Sequence, residues 1–146
     1  MRKTILLSFV TAVVTVATAQ AQPANPLTTS AKRTYDIIKN YITKSAAKMP
    51  EENYAFKPTP DVRSFGQIIG HISDANYGFC SAVAGEKPPA GGFDPATSIE
   101  KTKTTKADLE KALAESFAYC DKVHAGMTDT GGAAMIKFFK IGRAHV

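Results

Sequence analysis

The residues best suited to chemistry are two cysteines, Cys80 and Cys120, and three histidines, His71, His124 and His145. Imidazole and thiolate groups bind zinc and similar cations, and thiols also pair as disulfides in oxidising surroundings. Neither cysteine lies in a C-x-x-C or haem-attachment motif, so redox catalysis has no local support. Two interpretations stay open for the cysteines: a structural bridge, or two free buried thiols.

Other common catalytic motifs are missing from the sequence. It contains no nucleophile elbow, no P-loop and no dinucleotide fingerprint. The acidic pair Glu51-Glu52 falls in a proline-rich stretch without a partner base, and we interpret it as surface charge. A catalytic residue therefore cannot be named from motifs alone.

The N-terminal residues 1–21 have the features of a secretory signal peptide. A basic start precedes an apolar run that ends at Ala17, and Ala19-Gln20-Ala21 forms an A-x-A cleavage site. The alternative is a membrane anchor, but the run is shorter than the roughly 20 residues that cross a bilayer. The sequence thus predicts an exported protein, periplasmic or secreted, without a stable membrane anchor.

The C-terminal residues 141–146, with the sequence IGRAHV, resemble the in-frame translation of a common sequencing adaptor. We expect this segment to be an artefact, so that His145 carries no functional weight; the alternative is a native basic tail. The remaining residues 22–140 are enough for one domain with one modest core.

The charge of the chain argues against nucleic acid as a partner. Removing Arg2, Lys3 and Arg143 with the two terminal segments reduces the formal charge of +5 to 5 − 3 = +2. The remaining basic residues are interleaved with acidic ones, as on an ordinary solvated surface.

Apolar periodicity predicts a first helix from Thr29 to Lys48, with Thr28 or Thr29 as its cap. Prolines then break the chain, and we expect Tyr54 and Phe56 in this connection to point inward. The apolar stripe of the first helix consists of Tyr35, Ile38, Ile42 and Ala46.

The second helix has the clearest boundaries in the chain. Ser64 and Gln67 form a capping box at its start, and Gly85 is the expected left-handed residue after its end at about Ala84. Its apolar face consists of Phe65, Ile68, Ile69, Ile72, Ala75, Phe79 and Val83.

A long connection from Gly85 to Thr104, rich in proline and glycine, is predicted to be loop. The third helix then begins at Thr105, with Asp108 as a weaker capping partner, and ends near Gly126. Its stripe consists of Leu109, Leu113, Phe117, Cys120 and Val123, and residues 127–140 are predicted to be a flexible connection.

The positions of the cysteines link the bridge to the topology. Each lies about 15 residues into its helix, or roughly 22 Å along the axis at about 1.5 Å per residue. Antiparallel helices would separate them by more than the roughly 7 Å between Cα atoms that a disulfide tolerates. A Cys80–Cys120 bridge therefore requires the second and third helices to run parallel.

Three segments resemble the DinB/YfiT-like family. They are Ser64–Cys80 (SFGQIIGHISDANYGFC) with the following Gly85-Glu86, the aromatic segment around Pro58, and Leu113–Asp121 (LAESFAYCD). The likeness covers roughly residues 27–120. It implies an all-α, up-down-down-up four-helix bundle, here with the fourth helix missing or incomplete.

The resemblance also implies a divalent metal, Zn, Ni, Fe or Mn, held by one histidine matching His71 and two in an H-x-x-x-H motif on the fourth helix. This motif is absent from the sequence, and we expect His124 to cap carbonyls or face water instead of binding metal. Without the resemblance, His71 is better explained as a partly buried structural histidine. Asp74 and Asn76 are interpreted as solvent-facing in preference to groups that orient a ligand.

Two functions follow. The resemblance implies that the intact protein is a metal-dependent hydrolase or thiol S-transferase, acting on a small molecule such as a low-molecular-weight thiol. The alternative is a non-catalytic helical binding or structural module. A homodimer is a further implication of the resemblance, and metal binding by the chain as it stands is expected to be weak or absent.

Overall fold

The computed structural model describes residues 24–137 and 143–145, and it confirms the predicted all-α class. The predicted signal peptide lies outside the described residues, as do residues 141, 142 and 146 of the predicted tail. The three long helices are α1 (Pro26–Lys48), α2 (Phe65–Ala84) and α4 (Lys106–Ala125). The short elements are a 3-10 turn (Glu51–Asn53), α3 (Ile99–Thr102), α5 (Asp129–Gly132), and the antiparallel strands β1 (Met135–Lys137) and β2 (Arg143–His145).

Both boundaries predicted for α2 are confirmed. The backbone N–H of Gln67 donates to Ser64 Oγ at 3.1 Å, and the N–H of Ser64 donates to Gln67 Oε1 at 2.9 Å. Gly85 ends the helix with a φ of 70°, in the left-handed region. Residues within a few positions of each other therefore determine where α2 begins and ends.

The start of α1 differs from the prediction, because its cap comes from a distant part of the chain. The helix begins at Pro26, and the N–H groups of Leu27 and Thr28 donate to the carboxylate of Asp129 at 3.1 and 2.8 Å. The hydroxyl of Thr28 also donates to Asp129, while the N–H of Asp129 donates to the side chain of Asn25. This clasp fixes α5 to the first turn of α1.

The clasp leads to a prediction for pH-dependent stability. Hydrogen bonds from the backbone of Thr28, and then of Leu27, lower the pKa of Asp129 below its ordinary value of 3.8. A carboxyl group with a lowered folded pKa stabilises the protein above its unfolded pKa, and this contribution is lost as pH falls through the folded pKa. We expect Asp129→Asn to lower the Tm at neutral pH, with the difference from wild type shrinking below about pH 3.8.

Thermal unfolding followed by circular dichroism from acid to neutral pH measures this effect. Asp36→Asn is the control, because Asp36 forms an exposed pair with Lys32 within one helix and such pairs contribute little. A Tm for Asp129→Asn equal to that of Asp36→Asn at neutral pH would contradict the clasp.

The helices run up, down and down. Cys80 is bonded to Cys120 with their Cα atoms 5.4 Å apart, and Asn76 Nδ2 donates to Ser116 Oγ at 3.1 Å, so α2 and α4 run parallel in register. Helix α1 runs antiparallel to α4. Its middle contacts the later part of α4 through Tyr35 and Phe117, and its end contacts the start of α4 through Lys106 Nζ and the carbonyl of Met49.

The core lies where α4 packs between α1 and α2. Tyr54 is buried as predicted, and its hydroxyl donates to the carbonyl of Ala46 at 2.9 Å. The side chains of Leu109, Leu113 and Phe117 fill the centre of the bundle.

Four predicted core residues are exposed. Three of them lie on α1 or α2, which each pack mainly on α4 and not on one another, and Phe56 lies in the connection between these two helices. Ile38, Phe56, Ile68 and Phe79 are between 44% and 62% exposed. Within the described part of the chain, the apolar sides of α1 and α2 that face away from α4 thus stay partly exposed, although the ring of Phe79 packs edge to face on Phe93. The absence of a fourth helix from the protein stays a prediction. Over the same residues, every helix is too short or too polar to cross a membrane.

Candidate functional site

His71 lies at the surface of α2 and contacts a carboxylate that the sequence analysis did not select. Its Nδ1 is 3.2 Å from Oε2 of Glu100 on α3. Arg63 donates to the other carboxylate oxygen from Nε at 2.7 Å. The side chain of Glu100 is 17% exposed, whereas those of His71 and Arg63 are 50% exposed. A largely buried carboxylate is therefore shared between two more exposed basic groups.

Glu100 reaches His71 because α3 lies directly against α2 at Gly70. A Cβ atom at Gly70 would stand 2.6 Å from the backbone Cα of Glu100, which is closer than Cβ atoms approach their neighbours. Glycine inside a helix costs about 1 kcal/mol relative to alanine, so it often marks a close contact. Gly70 was therefore the local signal that another backbone packs beside His71.

Asp74 anchors α3, which corrects the interpretation of this residue as solvent-facing. It is 4% exposed, and its carboxylate accepts hydrogen bonds from the hydroxyl of Ser98 at 2.7 Å and the N–H groups of Ile99 and Glu100 at 2.8 and 3.0 Å. These donors are the free polar groups at the start of α3. Asp74 thus determines where the backbone of Glu100 lies.

The solvent-facing interpretation is also wrong for Asn76. Its side-chain amide donates to the hydroxyl of Ser116 and so joins α2 to the parallel helix α4. Asn76 therefore helps to hold α2 against α4. None of the hydrogen bonds described for Asn76 involves His71.

The connection between α2 and α4 is ordered around Asp74, although its composition predicted only loop. Gly91 has a φ of 52°, and a Cβ atom there would stand 2.3 Å from Asp74 Oδ1. Its carbonyl accepts a hydrogen bond from the hydroxyl of Thr97 at 3.1 Å. A glycine at this position lets the connection fold over Asp74 before it forms α3.

A shallow cavity of about 260 Å³ lies beside this network. It is lined by both basic partners of Glu100, by Asp74, and by the end of the glycine-containing connection around Asp94 and Lys101. Its lining combines charged side chains of both signs with apolar surface. The cavity places the imidazole of His71 within reach of a small ligand.

The described residues do not form a complete metal centre. Within residues 24–134, whose side chains are described, no three histidine, cysteine or carboxylate side chains group closely enough to hold a cation. His71 and Glu100 provide only two such groups, and both cysteines are used in the disulfide. The side chain of His145 is not described.

His124 lies far from His71 along the bundle. Its ring packs on Tyr35, with ring centroids 4.3 Å apart, and the residue is partly buried, a packing contact that the sequence analysis did not predict. Burial lowers the pKa of His124, with a smaller contribution from the charge of Lys32. The structure therefore does not bring His124 and His71 together.

The model of a family described as the DinB superfamily matches residues 35–144, which is most of the chain. The curated proteins and the solved structures give no match. The matched region contains α2, α3 and α4 complete, together with His71 and Glu100, and its mainly helical fold agrees with the resemblance seen in the sequence. The chain belongs to the DinB superfamily.

Proposed function

We propose that the intact protein is an exported, divalent-metal-binding member of this superfamily, in which His71 is one ligand. One observation supports the proposal most directly. His71 is half exposed and has one ring nitrogen beside a fixed carboxylate, so its other nitrogen is open to a ligand. Imidazole nitrogens bind divalent cations such as Zn, Ni, Fe and Mn.

The remaining ligands would come from outside the described residues, since no three histidine, cysteine or carboxylate side chains among those residues group closely enough to hold a cation. A bound cation would polarise a water or a low-molecular-weight thiol, in a hydrolase or a thiol S-transferase respectively. The chain's own contribution is to hold His71 at the edge of a mixed-charge cavity beside Arg63 and Lys101. Those two cations would favour an anionic substrate.

Export is supported by the predicted signal peptide in residues 1–21 and by the Cys80–Cys120 disulfide. Disulfides persist in the periplasm and outside the cell, and are rare where glutathione and thioredoxin keep thiols reduced.

Metal analysis of the protein made from the complete reading frame of the source DNA tests the proposal. We expect His71→Ala to lower the bound metal by about tenfold or more, because loss of a ligand exceeds the effect of losing a group that only orients one. His124→Ala is the matched control and should keep its metal, since His124 packs on Tyr35. Equal metal content in wild type and His71→Ala would contradict a ligand role.

The alternative is a non-catalytic helical binding or structural module. Two observations favour it: the missing third ligand among the described residues, and the exposed apolar side chains on α1 and α2, namely Ile37, Ile38, Tyr41, Ile68 and Phe79. Wild-type protein that is folded, pure and free of metal after growth with added Zn, Ni, Fe and Mn would favour this alternative.

A further inference from the structure

We propose that Glu100 is the positioning residue of His71: it holds the ring with Nδ1 protonated, and so presents Nε2 to a metal ion. This inference rests on the proposed metal-binding function, since it assigns the part of the site that orients the ligand. Glu100 is not part of the motifs on which the family resemblance and the choice of His71 depended, and it lies 29 residues along the chain from His71.

The protonation of the ring follows from the chemistry of its partner. Glu100 accepts a hydrogen bond from Arg63, and a carboxylate has no proton to donate. A hydrogen bond between Glu100 Oε2 and His71 Nδ1 therefore needs the proton on Nδ1. A neutral imidazole carries one N–H, so Nε2 is left with its lone pair, which is the form that binds a cation.

The backbone of Glu100 is fixed independently of His71. Its N–H donates to the buried carboxylate of Asp74 at 3.0 Å, and its Cα lies against Gly70. This attachment separates the contact from an ordinary surface ion pair, in which two long side chains lose entropy to meet. Here the carboxylate is already in place, and only the ring of His71 has to be oriented.

The side chain of Glu100 is also held from the other side. Arg63 occupies Oε1 at 2.7 Å, which leaves Oε2 directed at His71. Each carboxylate oxygen thus has its own partner. Carboxylates in this position next to metal-binding histidines fix the ring and make the ligand more basic.

The imidazole ¹⁵N shifts of His71 test the proposal without any metal. They are measured at about pH 8.5, which lies well above the pKa of an imidazole side chain in a model peptide. We expect wild type to have the proton mainly on Nδ1, and Glu100→Ala to change to the Nε2–H form that an unrestrained imidazole favours. Glu100→Gln keeps an acceptor oxygen and should keep most of the Nδ1–H form. A wild-type ring that is mainly Nε2–H would overturn the proposal, as would a ring unchanged in Glu100→Ala.

A change in folding is separated from a change in orientation by the backbone amide spectrum. Glu100→Ala and Glu100→Gln should both keep the wild-type amide shifts in α2 and α4 away from His71. If Glu100 had only a structural role, its replacement would change these backbone amide shifts. The ¹⁵N shifts of the His71 ring in Glu100→Gln would then have no reason to resemble those of wild type.

Zinc titration of the protein from the complete reading frame separates this inference from the proposed function. We expect Glu100→Ala to weaken Zn²⁺ binding by about 10- to 100-fold, and Glu100→Gln to weaken it less. Wild type that binds no Zn²⁺ would overturn the proposed function, while the ring-nitrogen measurement would still decide the orientation by Glu100. Loss of Zn²⁺ in His71→Ala with unchanged affinity in Glu100→Ala would overturn the positioning role alone.

Discussion

Removing the Cys80–Cys120 disulfide is expected to lower the free energy of unfolding by about 4 kcal/mol. The bond closes a segment of 40 residues, and the entropy that such a loop removes from the unfolded chain has this magnitude. Domains of this size are typically stable by only about 5–15 kcal/mol, so much of the stability would be lost. Urea unfolding of the Cys80→Ala/Cys120→Ala variant, compared with wild type, measures the change.

The position of the bond supports a large effect. It joins α2 to α4, two parallel helices whose connection must travel back along the bundle before the second begins. Cys120 is 1% exposed and Cys80 is 9% exposed, so the alanine pair also removes two packed sulfur atoms from the interior.

A reductant serves as the control for this first prediction. It should destabilise wild type and leave the double alanine variant unchanged, because the variant has no bond to reduce. A difference below about 1 kcal/mol between oxidised and reduced wild type would contradict the loop-closure argument. Titration of free thiols in the unfolded, oxidised protein would detect a missing bridge directly.

Local patterns predicted the elements whose determinants lie within a few residues. The start of α2 at Ser64, its end at Gly85 and the start of α4 at Thr105 all depend on hydrogen bonds across three or four positions. The parallel direction of α2 and α4 was accessible as well, because a bridge between Cys80 and Cys120 permits only that arrangement.

Features that depend on distant partners could not be predicted in the same way. The cap of α1 is Asp129, about a hundred residues away. Because nothing near the start of the helix indicates this distant cap, the nearby threonines were predicted to cap the helix instead. Apolar side chains such as Ile38 and Phe79 have helical periodicity whether or not another element covers them. Periodicity predicts the face of a helix, and it does not predict what packs there.

The residues of the candidate site also differ in whether the sequence could predict them. His71 was selected from the resemblance. Its partner Glu100 lies 29 residues after it, and Arg63, the second partner of Glu100, lies 8 residues before it, without a fixed spacing motif. Asp74 was wrongly interpreted as solvent-facing, because a polar residue outside the apolar face of a helix usually faces solvent. Only the fold of the connection, which places Gly91 and Ser98 over Asp74, makes this carboxylate an internal anchor.

Loss of the Asp74 carboxylate is the second large effect that we expect. Asp74→Ala leaves the hydroxyl of Ser98 and the N–H of Ile99 buried without their acceptor. Each buried donor left unpaired costs roughly 1–3 kcal/mol, so the free energy of unfolding should fall by about 3 kcal/mol. Urea unfolding measures the global change, and hydrogen exchange at the amides of Ile99 and Glu100 measures the local one.

Asp94→Ala is the matched control, because Asp94 lies exposed in the same connection and its carboxylate accepts a single bond from the N–H of Ala96. We expect that variant to stay within about 0.5 kcal/mol of wild type. Asp74→Ala should also release Glu100 from its backbone anchor, so the ring of His71 should lose its preferred protonation, as in Glu100→Ala. Unchanged amide exchange in α3, together with a stability loss no larger than that of Asp94→Ala, would mean that packing at Gly70 alone holds α3 against α2.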